Sequence, residues 1–322
     1  MTNQRIVVYW ESGVGETYLY GSKIDFLKEG SVDFKNDRFP SGTKIHTWRS
    51  KGNYQEDRSS VQLPLLEKNK KYVVKLDAIS YPEQSVYVQI IFFNRFHDIV
   101  DRVIAKNEEQ KFLYPEAAYY YEISLLNAGM THLKFYSISI SEIDFHSKIT
   151  YEEGGLLLSN HISADENSTT LNIVFREPEK GFVSFLPSIT QQKLGDSIEI
   201  GTIRQLSDIY VSPKSREIIE EWLNEIYLQY NIENINWIGH GPVSNQAAQV
   251  YAAKNDFKSK LFISETYENE NVRAQQRVMV YEELGTISEV QISDVMDMDY
   301  DKVLVDWVNH LTSKQSNGGL NE

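Results

Sequence analysis

The chain has 322 residues, of which 41% are hydrophobic and 24% charged, with a formal net charge of −14 and no cysteine. The length suits two domains of about 150 residues each, and the composition is typical of a folded globular protein. The acidic charge argues against general nucleic-acid binding, which needs a basic surface. The absence of cysteine excludes disulfides, thiolate catalysis and Cys-ligated zinc, and it fits a reducing compartment.

The sequence shows no targeting signal. Residues 1–11 contain no basic stretch followed by an apolar one, which a secretory signal requires. No apolar run approaches the roughly 18 residues that a membrane-spanning helix needs. We therefore expect a cytoplasmic protein.

The two halves of the chain differ in charge and aromatic content. Residues 1–155 hold 19 Lys and Arg against 21 Asp and Glu, a net of −2, whereas residues 156–322 hold 13 against 25, a net of −12. The first half also holds 24 of the 39 aromatic residues. A charged pair followed by two glycines at 152–155 breaks the pattern. We predict two differently folded domains, residues 1–148 and 149–322.

The first half consists of short strand patterns. Residues 86–93 alternate between two faces, and β-branched and aromatic residues dominate segments 72–77, 120–126 and 133–140. Turn residues separate these segments, and no helical stripe occurs before residue 150. Regularly spaced short strands of this kind predict an antiparallel β-sandwich.

The second half changes to strands that alternate with helices. Apolar runs predict strands at 172–176, 181–186, 196–201, 234–239 and 260–264. One helix should follow Ser212, a favoured N-cap with Pro213 at the first helical position. Apolar stripes predict further helices after Ser244 and over residues 303–311. This alternation indicates a mainly parallel, doubly wound α/β sheet.

Residues 235–254, followed by the strand at 261–264, resemble the nucleophile elbow of α/β-hydrolases, Gly-x-Ser-x-Gly. When Gly239 and His240 are aligned with the first two positions, Gly241 stands where the serine would be. Ser244 could be a displaced nucleophile, but its position favours a cap of the following helix. His240 is expected to be a turn residue, since no carboxylate is placed to orient it. We therefore predict a degenerate hydrolase-like domain without a catalytic residue.

The sequence carries only weak signals for other kinds of site. The seven histidines form no i, i+4 pair, and the lone Gly13-Val14-Gly15 lacks the third glycine of a dinucleotide site. One acidic cluster lacks the glycine and terminal glutamate of a calcium loop and is more typical of a solvated face. Its members are Asp294, Asp297, Asp299 and Asp301. We expect neither a metal nor a cofactor.

Several blocks in the first half carry a resemblance to a known family. They are Tyr9-Trp10 and the segments 18–22, 40–48, 53–55, 63–66, 114–116 and 126–129. In this order they are similar to the third and smallest accessory protein of the accessory Sec export system of Gram-positive bacteria. The resemblance covers about residues 5–142.

This resemblance implies a non-enzymatic subunit. Members of the family assemble with two other accessory Sec proteins and work with a dedicated accessory Sec motor ATPase and membrane channel. The location implied is the cytoplasm, or the membrane periphery near the accessory translocon. The cargo is an O-glycosylated serine-rich repeat adhesin. The β-sandwich would be a jelly-roll similar to carbohydrate-binding modules, which suggests contact with the glycan of the cargo.

Flat aromatic rings and polar side chains of the first half are candidates for glycan or partner contact. They are His46, Trp48, Asn53, Tyr54, Gln55 and Arg58. Tyr54, in a polar loop, is the best exposed candidate, whereas Trp10 is expected to be buried. An aromatic residue of a β-sandwich more often belongs to the core, and an exposed one can instead anchor a partner protein. The alternative function is an esterase or acyltransferase that acts on cargo glycans through the second domain.

Overall fold

The structure of the chain is a computed structural model, and it describes most of the sequence. The described residues are 4–28, 30–52, 61–163, 169–255, 257–268, 274–282, 285–294, 305 and 308, with the backbone alone over 265–294. The chain divides into two compact units. The first comprises Met1–His146 with the returning segment Lys180–Phe182, and the second comprises Ser147–Glu179 and the chain from Val183 onward.

Antiparallel strands build the described part of the first unit. In chain order they are β1 (Gln4–Val8), β2 (Glu16–Thr17), β3 (Lys23–Phe26), β4 (Val32–Lys35), β5 (Lys44–Arg49), β6 (Lys71–Tyr81), β7 (Val86–Phe93), β8 (Ile99–Ala105), β9 (Glu109–Leu113), β10 (Tyr120–Asn127) and β11 (His132–Glu142), followed by the short helix α1 (Ile143–His146).

These strands form two sheets. In one sheet the long strand β11 pairs with β1 and β4 on one side and with β6 on the other, while β3 extends β4 and β9 extends β6. The returning segment adds to the edge at β1, where the Val7 N–H donates to the Gly181 carbonyl at 2.7 Å. The second sheet has the order β2-β5-β10-β7-β8.

One aromatic core joins the two sheets of the first unit. Phe34 and Phe135 come from the first sheet, and Trp48 and Ile90 from the second, and all four are buried. The rings of Trp48 and Phe135 stack with centroids 5.5 Å apart. Because residues alternate between the two faces of a strand, every second residue of β7 enters this core. The predicted antiparallel β fold of the first half is confirmed, with strands where the sequence placed them.

The second unit contains strands and helices. They are β12 (Ile149–Glu153), β13 (Leu156–His161), β14 (Thr170–Phe175), β15 (Phe182–Ser184), α2 (Ser188–Leu194), β16 (Ser197–Thr202), α3 (Pro213–Gln229), β17 (Asn234–Ile238), α4 (Pro242–Ala252), β18 (Lys258–Glu268), β19 (Ala274–Glu282) and β20 (Gly285–Asp294). The sheet has the order β12-β13-β16-β14-β17-β18-β19-β20, and β15 begins in the returning segment.

This sheet is mixed rather than mainly parallel, which corrects the sequence prediction. Parallel pairing is confined to the neighbours β16, β14, β17 and β18, and the flanking pairs are antiparallel. Parallel neighbours need a crossover of a dozen or more residues. Only two glycines separate β12 from β13, and such a short link permits only an antiparallel hairpin.

The two longer helices, α3 and α4, follow the sequence patterns closely, whereas the short helices α1 and α2 were not predicted. Ser212 caps α3, with its Oγ accepting a hydrogen bond from the Ser215 N–H at 3.4 Å, and Pro213 is the first helical residue. The predicted apolar stripe of α3 is buried. Helix α4 begins at Pro242 with Gly241 as N-cap, earlier than predicted. Of the predicted helix over 303–311, only Val305 and Val308 are described, both helical. Asp297, Asp299 and Asp301 lie outside the described residues.

Candidate functional site

Two of the predicted contact residues lie in the core of the first unit. His46 and Trp48 are on β5 and are 0% and 1% exposed. The Trp48 Nε1–H donates to the Tyr9 carbonyl at 3.1 Å, and the His46 ring stacks on Trp10 with centroids 4.4 Å apart. A side chain without exposed surface cannot touch a ligand on the surface of the unit. Their burial therefore argues against direct contact by these two side chains.

His46 is held as a neutral imidazole. Its Nδ1 is 2.6 Å from the Thr17 Oγ1, and burial lowers its pKa to about 3. Gly15 lies directly against the ring with φ +78°, and a Cβ there would come within 2.7 Å of the His46 Cε1. The His46 ring thus fills the space under the turn before β2, and it carries no charge near neutral pH.

The other four predicted contact residues, Asn53, Tyr54, Gln55 and Arg58, lie outside the described residues. The prediction that they contact a glycan or a partner stays a prediction.

The outward face of the second sheet carries a network of ion pairs. The Arg49 Nε is 2.9 Å from Glu122 Oε1, and its Nη2 is 2.9 Å from Glu16 Oε1. Lys44 adds a longer contact to Glu122 at 3.5 Å. Partial burial lowers the pKa of Arg49, but the two carboxylates outweigh this and the net effect raises it. The network fixes these side chains across neighbouring strands.

Beside this network, four aromatic rings gather near the β7–β8 turn. We call them the tyrosine cluster. They are Phe93, Phe96, Tyr119 and Tyr120. Phe93 and Tyr120 are cross-strand partners whose rings stack 4.7 Å apart and within 8° of parallel. The strand and turn patterns of the sequence did not predict this cluster, although the run of three tyrosines at 119–121 is a visible signal for it.

In the second unit, the predicted elbow lies where the order of the parallel strands reverses. From β14 the chain crosses to β16, its neighbour on one side, whereas its neighbour on the other side is β17. Ligands of open α/β sheets bind at such a point, outside the carboxyl ends of the strands. Glu177 follows β14, and the turn Gly239-His240-Gly241 follows β17.

The carboxylate of Glu177 lies over this turn and caps helix α4. It accepts hydrogen bonds from the Val243 N–H at 3.2 Å and the Ser244 N–H at 2.9 Å. The Ser244 hydroxyl donates a third bond to it at 2.8 Å. Since the N-cap is a glycine and the first turn of α4 has no acidic residue, Glu177 supplies the negative charge that a helix N-terminus favours.

Gly241 leaves the space that this carboxylate needs. A Cβ at this position would come within 2.5 Å of the Glu177 Cδ. A serine, as in the hydrolase motif, would collide with the carboxylate unless one of them moved. The space that a nucleophilic serine side chain would need at this turn is therefore occupied by the Glu177 carboxylate.

Ser244 and His240 have structural partners in this turn. The Ser244 Oγ is fully buried and accepts from the His240 and Gly241 N–H groups at 3.0 and 2.9 Å. The His240 Nε2 accepts from the Glu177 N–H at 3.3 Å, and the side chain is 2% exposed. Ser244 thus helps to cap α4 from the third helical position rather than from the N-cap. Neither side chain is presented to a substrate.

The comparisons with known proteins point to the first unit. A family model described as "Accessory Sec secretory system ASP3" matches residues 17–142. The accessory Sec system protein ASP3 of Streptococcus gordonii is 42% identical over 127 residues, which are 39% of this chain and 80% of that protein. The chain belongs to the ASP3 family of the accessory Sec system.

Two longer relatives extend the similarity beyond the first unit of this ASP3 family member. Accessory Sec system protein ASP3 of Staphylococcus aureus (strain NCTC 8325 / PS 47) is 27% identical over 253 residues, 78% of this chain and 76% of that protein. A chain in the solved "Glycosylation Associate Protein (Gap123) complex from Streptococcus agalactiae" is 31% identical, with a TM-score of 0.52. The match covers 80% of this chain and 78% of that one. Matches of this length must include part of the second unit.

The matched region of the ASP3 family model contains every predicted contact residue and the tyrosine cluster, but neither Glu177 nor Gly241. Within the described ranges, no group of three or more His, Cys, Asp or Glu side chains is arranged to hold a metal ion. In the same part of the chain, no helix is both long and apolar enough to cross a membrane.

Proposed function

We propose that this ASP3 family member is a non-enzymatic subunit of an accessory Sec complex. It would assemble with two partner accessory proteins and support the export of glycosylated serine-rich repeat adhesins by the dedicated motor ATPase. Family membership carries the proposal, and the similar Streptococcus agalactiae chain was solved as part of a complex. The cytoplasmic side of the membrane is the location that this role requires.

We further infer that the first unit contacts the glycan of the cargo. Its two packed antiparallel sheets suit the jelly-roll form expected from the resemblance. A network of charged side chains lies beside exposed aromatic rings on the second sheet. Charged and amide groups bind sugar hydroxyls, and rings cover the apolar faces of sugars.

The second unit supports the non-enzymatic interpretation. The elbow-like turn after β17, where the order of the parallel strands reverses, favours descent from a hydrolase-like domain. Ester hydrolysis would need an exposed nucleophile at the turn, but Gly241 stands there and the Glu177 carboxylate covers it. The buried Ser244 donates its hydroxyl proton to that carboxylate. An esterase or acyltransferase is therefore the less favoured candidate.

Co-expression of the full chain with the two partner accessory proteins tests the role in assembly. We expect the three proteins to elute as one species in size-exclusion chromatography at micromolar concentration, with all three present in the peak. Three independent peaks under these conditions would contradict the proposal.

A further inference from the structure

The tyrosine cluster is an aromatic surface carried by hydrogen-bonded backbone. We propose that it binds the O-linked sugars of the serine-rich cargo, an inference that rests on the function proposed above. Tyr119 and Phe96 are 52% and 83% exposed, so their rings are open to a ligand. Pyranose sugars present apolar C–H faces that match the flat face of such rings.

The turn that carries Phe96 is held by a single asparagine. The Asn94 Oδ1 accepts from the Phe96 and Asp98 N–H groups at 2.8 and 3.0 Å. The Asn94 Nδ2–H donates to the Asp98 carboxylate at 3.0 Å. A turn that is already ordered loses little conformational entropy when it binds a ligand.

The tyrosines are fixed from the neighbouring segment. The Tyr119 N–H donates to the Phe93 carbonyl at 2.7 Å, which ties the segment before β10 to the end of β7. The Tyr120 hydroxyl is 2.9 Å from the His97 Nδ1. Together with the Phe93–Tyr120 stack, these contacts fix the Tyr120 ring and the backbone that carries Tyr119 before any ligand arrives.

Two cations give the cluster its polar groups. The Arg95 guanidinium carbon lies 5.4 Å from the centre of the Tyr119 ring, and the Lys51 Nζ lies 6.0 Å from it. Neither cation forms an ion pair with a carboxylate among the described residues. Their N–H groups are therefore free to donate to sugar hydroxyls or acetamido oxygens beside the ring, while the cation–π contacts limit their motion.

Other exposed tyrosines lack this setting. Tyr20 and Tyr81 are 85% and 69% exposed, but neither makes a ring or cation contact within the described part of the chain. Among the described residues, neither ring has a cation held against its face as Tyr119 does. This difference selects the tyrosine cluster, and it makes Tyr20 a matched control.

The test uses the full chain and synthetic serine-rich peptides that carry O-linked glucose, O-linked N-acetylglucosamine or no sugar. Affinity is measured by isothermal titration calorimetry. We expect wild type to bind a glycopeptide but not the bare peptide, and Tyr119→Ala to weaken binding about tenfold, near the upper end of a ring contact. Tyr119→Phe, which keeps the ring, and the control Tyr20→Ala should bind like wild type. Circular dichroism checks that each variant is folded.

The possible results distinguish a failure of the proposed glycan site from a failure of the proposed role in assembly. Equal glycopeptide binding by wild type and folded Tyr119→Ala would overturn the assignment of the site, while leaving subunit assembly untouched. Equal binding of glycosylated and bare peptides would show peptide recognition and overturn it as well. If wild type binds no glycopeptide but assembles normally in chromatography, the proposed glycan binding is overturned. The proposed role in assembly would then still stand.

Discussion

A buried histidine makes the stability of the first unit depend on pH. His46 has a pKa of about 3 in the folded chain, against an ordinary value of 6.5, because burial disfavours its charged form. Below pH 6.5 the unfolded chain gains a proton that the folded chain does not. The stability associated with the neutral ring is therefore complete above pH 6.5 and is lost as the pH falls toward about 3.

We expect His46→Gln to reduce the pH dependence of the stability of the first unit. Each pKa unit corresponds to about 1.4 kcal/mol, so the free energy of unfolding of wild type should fall between pH 7 and pH 5 by about 2 kcal/mol more than that of the variant. Urea unfolding at the two pH values measures the difference. Parallel pH profiles for the two proteins would show that His46 is already accessible to protons in the folded state.

At the scale of elements, helix α4 depends on a cap from the loop that follows β14. Its first turn contains no acidic residue, and the Glu177 carboxylate accepts its N–H groups. We expect Glu177→Ala to lower the free energy of unfolding by about 1–2 kcal/mol, the range of a lost N-cap. Thermal and urea unfolding measure this loss. The exposed Glu221 of α3 provides the control Glu221→Ala, which should lie within about 0.5 kcal/mol of wild type.

The same arrangement couples Glu177 to Gly241. Gly241→Ser should destabilise the wild-type chain by about 1–3 kcal/mol through overpacking, since the new Cβ would meet the carboxylate. In the Glu177→Ala background the same substitution should cost markedly less, so the two changes are not additive. Strict additivity would mean that the turn relaxes away from the carboxylate.

At the scale of the whole molecule, the two units have separate cores and different charge. Hydrophobic clusters form within each unit, and most of the net charge of −14 lies in the second half. We propose that the units unfold as separate cooperative blocks, with two transitions in calorimetry.

Two of the variants show which unit gives rise to each calorimetric transition. His46→Gln should shift only the transition of the first unit, and Glu177→Ala only that of the second. A single transition that both variants shift together would contradict independent folding.

Local sequence patterns correctly placed the strands that they singled out, but they missed others, such as β3 and β13. The alternation over 86–93 matches β7, and the Ser212-Pro213 start of α3 has the predicted cap and buried stripe. Such features depend on residues close together in the chain, whose periodicity is visible directly. The antiparallel flanks of the second sheet were not predicted, because pairing between distant strands leaves little local signal.

The sequence by itself determined the family, the β-rich first half and the absence of a serine from the elbow-like turn, because each depends on residue identity or local periodicity. Only the tertiary structure decided that His46 and Trp48 are core residues, since burial depends on which strands pack together. It also decided that Glu177, 64 positions before Gly241, fills the turn that follows β17. Such a meeting of distant residues is set by the order of strands in the sheet, which the sequence pattern does not encode locally.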